Sequence, residues 1–245
     1  MHFCVFGAWR WVLRLAVLQP GYLPWLGFFD QLQRSDCFIF YDDVQFDKNG
    51  WRNRNRVKST AGEPHWLTVP VRVHSLAQRL MDTEIDNRQP WARKHVGTIR
   101  QFYSHAPHLN RFLPQLEELL FGTKWERLCD LDLAVIKLMC SWLGLKRNNM
   151  CSSELSIEGE RSERLVNFCL HVGADRYLSG NAAQSYLDVE LFASRGIEVE
   201  WQNYKHPTYP QQHGAFVPYL STLDLLLNCG DDSLEIISEG SRDAR

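Results

Sequence analysis

The opening of the chain constrains its fold more than any other stretch. Residues 13–18 are short and apolar, and Gln19-Pro20-Gly21 breaks them. Trp25, Phe28, Phe29 and Leu32 then recur at helical spacing, and Cys37-Phe38-Ile39-Phe40-Tyr41 is a continuous apolar run after Asp36. A stripe at i, i+3, i+4 asks for one buried helix face, and an unbroken apolar run suits a strand covered on both sides. Two parallel strands need a crossover between them, so strand–helix–strand in this order builds a parallel sheet. The expected class is α/β with an open, mostly parallel sheet.

The rest of the chain keeps switching period. A polar segment at 42–63 precedes a strand pattern at 65–71, closed by Pro70, and a poorly patterned stretch at 72–89 with a short strand near 83–85. A helical subregion is expected over about 90–145, strongest at 125–143 and ended by Gly144. Helices at 162–172 and 182–194 alternate with strands at 176–178 and 197–201. Pro207, Pro210 and Pro218 forbid regular structure across 206–218, and a short helix at 222–228 precedes an acidic tail. The expected division is an N-terminal extension at 1–14, one α/β domain at 15–230 and the tail at 231–245.

At 245 residues, 44% hydrophobic and 12% aromatic, the chain can bury a sizeable core, which excludes disorder, collagen-like repeats and a coiled coil. A formal net charge of −2 argues against coating nucleic acid, and no nucleic-acid partner is expected. Seven scattered cysteines without Cys-x-x-Cys spacing read as small buried hydrophobes in a reducing compartment rather than zinc ligands. No apolar run reaches a membrane span, and Arg10 and Arg14 interrupt the apolar N-terminus. A cytoplasmic protein without membrane insertion is expected.

Three irregular segments set polar groups beside aromatics and prolines. The first is the strand-to-helix turn Gln19-Pro20-Gly21-Tyr22-Leu23-Pro24-Trp25-Leu26-Gly27. In an open parallel sheet, ligands bind outside the carboxyl ends of the strands, where a helix N-terminus attracts anions. Gln19 and Tyr22 are the candidate contacts, against a competing reading of a tight turn with core aromatics. The second segment, 42–56, carries Asp42, Asp43, Gln45 and Lys48 before Trp51-Arg52-Asn53-Arg54-Asn55-Arg56. Adjacent Asp42 and Asp43 suit a base, a Mg²⁺ site or a turn cap. In extended chain Arg52 and Arg54 share one side, so their forks suit one phosphate or carboxylate, with Asn53 offering neutral hydrogen bonds. Solvated edge-strand charges are the competing reading.

The third segment is the Pro-fixed loop Tyr204-Lys205-His206-Pro207-Thr208-Tyr209-Pro210-Gln211-Gln212-His213-Gly214. His206 and His213 are candidates for proton transfer because imidazole titrates near neutrality, and Tyr209 is a candidate substrate contact. Ser179 and Gly180 follow the strand at 176–178 as a smaller anion nest or a plain turn. Lys94 and His95 lie near a helix start; His95 falls on the apolar stripe and is either a ligand contact or a buried structural histidine. No Walker loop, Gly-x-Gly-x-x-Gly, Gly-x-Ser-x-Gly or His-Glu-x-x-His is present, and no metal-ligand set is assigned.

Taken together, Gln19-Pro20 through Phe29-Asp30, Asp42-Asp43-Val44-Gln45-Phe46, Trp51-Arg52-Asn53-Arg54-Asn55, Trp66-Leu67-Thr68-Val69-Pro70-Val71, Lys94-His95, Tyr177-Leu178-Ser179-Gly180 and His206-Pro207-Thr208-Tyr209 resemble the WbqC-like protein family. Order and spacing match from about residue 15 to residue 230. The resemblance implies a bacterial protein associated with surface-polysaccharide genes. It also implies a cytoplasmic enzyme of O-antigen (lipopolysaccharide) synthesis that transfers glycine or another acyl group to a sugar. The motif positions carry over without assigned roles. The opening also resembles nucleotidylyltransferase-like (Rossmann-type) domains such as pantothenate synthetase, although Leu23-Pro24-Trp25-Leu26-Gly27 lacks their histidine pair. The alternatives are therefore a nucleotidylyltransferase-like activating enzyme, or a non-catalytic module that binds sugar nucleotide or assembles the glycan machinery. The expected substrate is a small molecule, a sugar nucleotide or amino acid, with ATP and Mg²⁺ or a nucleotide sugar as the open cofactor choices.

Overall fold

The computed structural model describes residues 12–48 and 50–242. Strand β1 (Arg14–Leu18) sends Leu15 and Val17 to one face and Ala16 to the other, as a fully covered strand must. Helix α1 (Leu26–Arg34) follows, and β2 (Cys37–Phe40) returns parallel to β1 with Leu18 opposite Phe40. An antiparallel hairpin of β3 (Arg54–Lys58) and β4 (Pro64–Thr68) comes next, then a small pair, β5 (Val71–Arg72) and β6 (Glu84–Ile85). The helical middle comprises α2 (Trp91–Phe102), α3 (Leu109–Gly122) and α4 (Leu128–Trp142).

The chain then re-enters the sheet as β7 (Asn148–Cys151), parallel to β2. Helix α5 (Arg161–Val172) leads to β8 (Arg176–Ser179), which pairs with the free side of β1. Helix α6 (Val189–Ser194) leads to β9 (Glu198–Trp201), outside β8, and α7 (Thr222–Cys229) and α8 (Ser233–Arg242) close the chain.

The five-stranded sheet runs β7-β2-β1-β8-β9, all parallel. Counted along the chain within the sheet, that order is 3-2-1-4-5, the arrangement of an open Rossmann-like sheet. The connection after β1 runs toward β2 and the one after β8 toward β9, in opposite directions. The order therefore reverses at the carboxyl ends of β1 and β8, where such sheets leave a crevice. Two apolar clusters cover the sheet. Leu15, Val17 and Ile39 pack with Phe168 and Phe192 of α5 and α6, while Ala16, Phe38 and Phe40 pack with α1, the helical middle and α7.

Several elements differ from the sequence expectation. Strand β7 was not foreseen: Asn-Asn-Met-Cys has little apolar alternation, because an edge strand buries only part of its surface. The strand expected at 65–71 divides, ending at Thr68 and resuming as β5 beyond Pro70. The helix expected at 182–194 divides too, into a 3-10 turn at Asn181–Ser185 and α6, which Asp188 caps through the Leu191 N–H. Within the expected acidic tail, Ser233–Arg242 is helix α8, docked on α1 with Ile237 fully buried. Most of the expected N-terminal extension lies outside the described residues, and β1 begins at Arg14.

Candidate functional site

The turn after β1 is fastened to the segment entering β3. Tyr22 N–H donates to the Arg52 carbonyl (2.9 Å), Arg52 Nη1 donates to the Gln19 carbonyl (3.0 Å), and Asn55 Nδ2 donates to the Leu23 carbonyl (2.7 Å). A Cβ at Gly21 would lie 2.9 Å from the Trp51 carbonyl oxygen, so only glycine lets the two backbones approach this closely. Leu23 takes a left-handed φ of 49°, strain that the surrounding bonds hold in place.

Between these segments lies a cavity of about 370 Å³ at the carboxyl end of β1. Leu18, Gln19 and Gly21 form its floor; Trp25, Phe28, Trp51 and Tyr219 supply apolar and aromatic wall. Among the described residues, its charged lining side chains are Arg52 and Arg56, and no carboxylate lines it. Burial works against the charge of both guanidiniums, an electrostatic cost that an incoming anion would relieve. Arg52 feels two nearby acids, Asp132 of α4 and Asp47, and Asp132 is the larger influence. Asp132 is fully buried, its oxygens have no hydrogen-bond partner, and burial pushes its carboxyl well above the usual range, which favours the neutral form.

Gln31 of α1 also lines the cavity. Its Nε2 donates to Gln202 Oε1 (2.8 Å), and Gln202 Nε2 donates onward to Gly27 O (2.7 Å) and Asp30 Oδ2 (2.8 Å). That chain of donors fixes how both amides face, and it leaves Gln31 Oε1 buried without a partner. Separately, Arg56 donates from Nη2 to the Tyr219 carbonyl (3.1 Å) while its Nε is buried without a partner. At the rim, the Trp51 and Trp66 rings sit 4.9 Å apart, with the Arg54 guanidinium 4.6 Å from the Trp66 centroid and that of Arg56 5.0 Å from Trp51. Both indoles are 41% exposed, so an aromatic–cationic platform continues the cavity outward.

The expected site residues fall into several groups. Gln19 and Arg52 line the cavity, and Gly180, just beyond β8, stands beside Gln31, whose Nε2 would be 3.4 Å from a Cβ there. Ser179 is buried at the end of β8. Arg54 lies on β3 beside Arg56 on the platform rather than next to Arg52 in the cavity, and Asn53 spends its amide on the Val69 carbonyl (2.8 Å). Gln45 and Lys48 are exposed, and Gln45 Nε2 donates to the Leu76 carbonyl (2.6 Å). Tyr22 is buried with its hydroxyl 3.0 Å from His95 Nδ1, while Lys94 is exposed on α2.

Asp42 and Asp43 follow β2 at the same sheet edge as Gln19 but are occupied internally. Asp42 accepts from the Ser153 N–H (3.0 Å) and the Ser153 hydroxyl (2.6 Å), and the single Ser152 hydroxyl proton lies between Asp42 (2.9 Å) and Asp43 (2.6 Å). Asp43 pairs with Arg164 of α5; burial acts to raise its carboxyl, and bonds from Arg164 and Ser152 outweigh that and hold it low. The donors aimed at these oxygens do not fit Mg²⁺, which needs them as ligands. Among the described residues, no group of three or more His, Cys, Asp or Glu side chains could hold a metal. The loop histidines do not meet: His206 packs on Tyr209, Phe216 and Tyr219, whereas His213 Nε2 lies 2.6 Å from the Phe102 carbonyl. Tyr209 is buried, donating to Asp224 (2.9 Å).

The model of the WbqC-like protein family matches residues 19–236. The chain belongs to the WbqC-like family. Uncharacterized protein Rv1507c of Mycobacterium tuberculosis (strain ATCC 25618 / H37Rv) is 36% identical over 222 residues, covering 90% of this chain and 95% of that one. No solved structure matches the chain. In this WbqC-like protein, Trp51 and Arg56 of the Trp–Arg row reach the cavity with Arg52, and Gln31 and Tyr219, which carry no sequence signal for it, join them. Gln31 lay on a helix read only for its apolar stripe, and Tyr219 comes from far along the chain. Arg56 was legible: it continues the alternation of Arg52 and Arg54.

Proposed function

We propose that this WbqC-like protein is an enzyme of surface-polysaccharide (O-antigen) synthesis that transfers glycine or another acyl group to a sugar. The observation that carries this reading is the cavity at the carboxyl end of β1, with two arginines and no described carboxylate among aromatic walls. Guanidinium forks match carboxylate and phosphate oxygens, and aromatic rings pack against the C–H faces of sugars. Making an amide from glycine and a sugar acid forms a C–N bond and breaks a C–O bond, so the acid must first be activated. With ATP as the activating reagent class, the oxygen departs on phosphate or AMP and the glycine ammonium releases its protons to solvent. The six described cysteines are all free, which suits a cytoplasmic setting. No described helix is long and apolar enough to cross a membrane.

A second reading is favoured by one feature of the same cavity: no described His, Asp, Glu or Lys lines it. A non-catalytic sugar-nucleotide module fits that feature, and it binds without turnover. Incubating the purified chain with sugar acids, nucleotide sugars, glycine and ATP, then measuring product mass, separates the two. The transferase reading expects a sugar heavier by one glycine residue. Ligand-induced stabilisation without any product across the panel favours the module.

A further inference from the structure

We infer that the cavity and its Trp–Arg rim form a site for a nucleoside diphosphate-linked sugar, with Arg52 and Arg56 on the diphosphate and Trp51 under a ring. This deepens the reading of the cavity as the substrate site and rests on it. Two guanidiniums line the space and, among the described residues, no carboxylate does. Asp47, the exposed acid that Arg52 feels, lies outside the lining, so a doubly charged diphosphate suits the cavity better than one carboxylate does. The N-terminus of α1 adds to the same field. Pro24 and Trp25 line the cavity there, no side chain caps the helix, and its first turn carries no acid.

Two buried atoms point to the same ligand. Arg56 Nε is a donor without an acceptor, and Gln31 Oε1 an acceptor without a donor; Gln31 itself is only 4% exposed. A ligand bearing both phosphate oxygens and N–H or O–H groups satisfies the two together. The exposed Trp51–Trp66 pair extends outward from the cavity and offers a stacking surface for a base or sugar ring.

Calorimetric titration of the full chain with pyrophosphate, uridine, UDP, ADP, UDP-N-acetylglucosamine and glucuronic acid tests this. The expected result is that a nucleoside diphosphate or its sugar binds more tightly than pyrophosphate or uridine alone. Arg56→Gln should weaken that binding by about ten- to a hundred-fold, the loss of one charge-assisted hydrogen bond. Trp51→Ala should weaken the nucleotides more than it weakens pyrophosphate, because the ring is lost to the base or sugar outright but to the diphosphate only through Arg56. Both positions are partly exposed, and a melting temperature equal to wild type certifies that each variant folds. Failure of every diphosphate to bind, unchanged affinity in both variants, or preference for glucuronic acid overturns the inference. Glycyl transfer to a sugar acid without diphosphate binding would overturn it alone, whereas diphosphate binding without any product overturns only the transferase reading.

Discussion

His95 is held between Tyr22 OH, 3.0 Å from Nδ1, and the Thr68 carbonyl, 3.2 Å from Nε2. A carbonyl only accepts, so Nε2 carries the proton and Nδ1 accepts from the tyrosine. Burial pushes the imidazole down to about 4, against about 6.5 in an unfolded chain. The unfolded state therefore binds the proton first as pH falls. His95 supports the fold fully above about pH 6.5 and progressively less toward pH 4, a loss of order 3 kcal/mol. Urea titrations at several pH values should show that slope, and His95→Gln should flatten it; an equal slope in the variant would contradict the assignment. The apolar stripe of α2 made this burial legible from spacing, whereas the partner hydroxyl, far away in sequence, was not. Alternation likewise suggested an arginine row, but β3 begins only at Arg54. Arg54 and Arg56 share the platform, and Arg52 turns into the cavity.

At the scale of elements, the site depends on loops fastened to a regular sheet. Gly21→Ala places a methyl 2.9 Å from a backbone oxygen that has no soft way to yield. It should cost about 1–3 kcal/mol in a denaturant titration and weaken ligand binding by displacing the Trp51–Arg52 segment. The 206–218 loop is pinned by Asp224 of α7, which accepts from Tyr103 (2.6 Å), Tyr209 (2.9 Å) and Gln211 (2.9 Å). Asp224→Ala strands those buried donors, and a loss of about 3–5 kcal/mol in unfolding free energy is expected. Candidates in this loop were visible as residue types, but their use was not. Pro-fixed aromatics and histidines look alike whether they face a ligand or a buried carboxylate.

The whole molecule is a covered parallel sheet, and the repeated switching of hydrophobic period announced that architecture. What periodicity missed was the periphery: β7 buries too little to alternate, and α8 hid its Leu234 and Ile237 spacing inside an acidic composition. Helix α8 packs on α1, whose first turn borders the cavity, so the chain's last helix supports the site from behind. Ile237→Ala removes a fully buried side chain and should cost about 2–5 kcal/mol, read as a lowered melting temperature.

Hydrogen exchange of the full chain, with and without millimolar UDP-N-acetylglucosamine, tests most directly whether the crevice where the strand order reverses is the binding site. Slowed exchange is predicted in the turn after β1, the first turns of α1 and the segment entering β3. Protection confined to the helical middle or to the β7 edge, or no protection anywhere, would contradict the account.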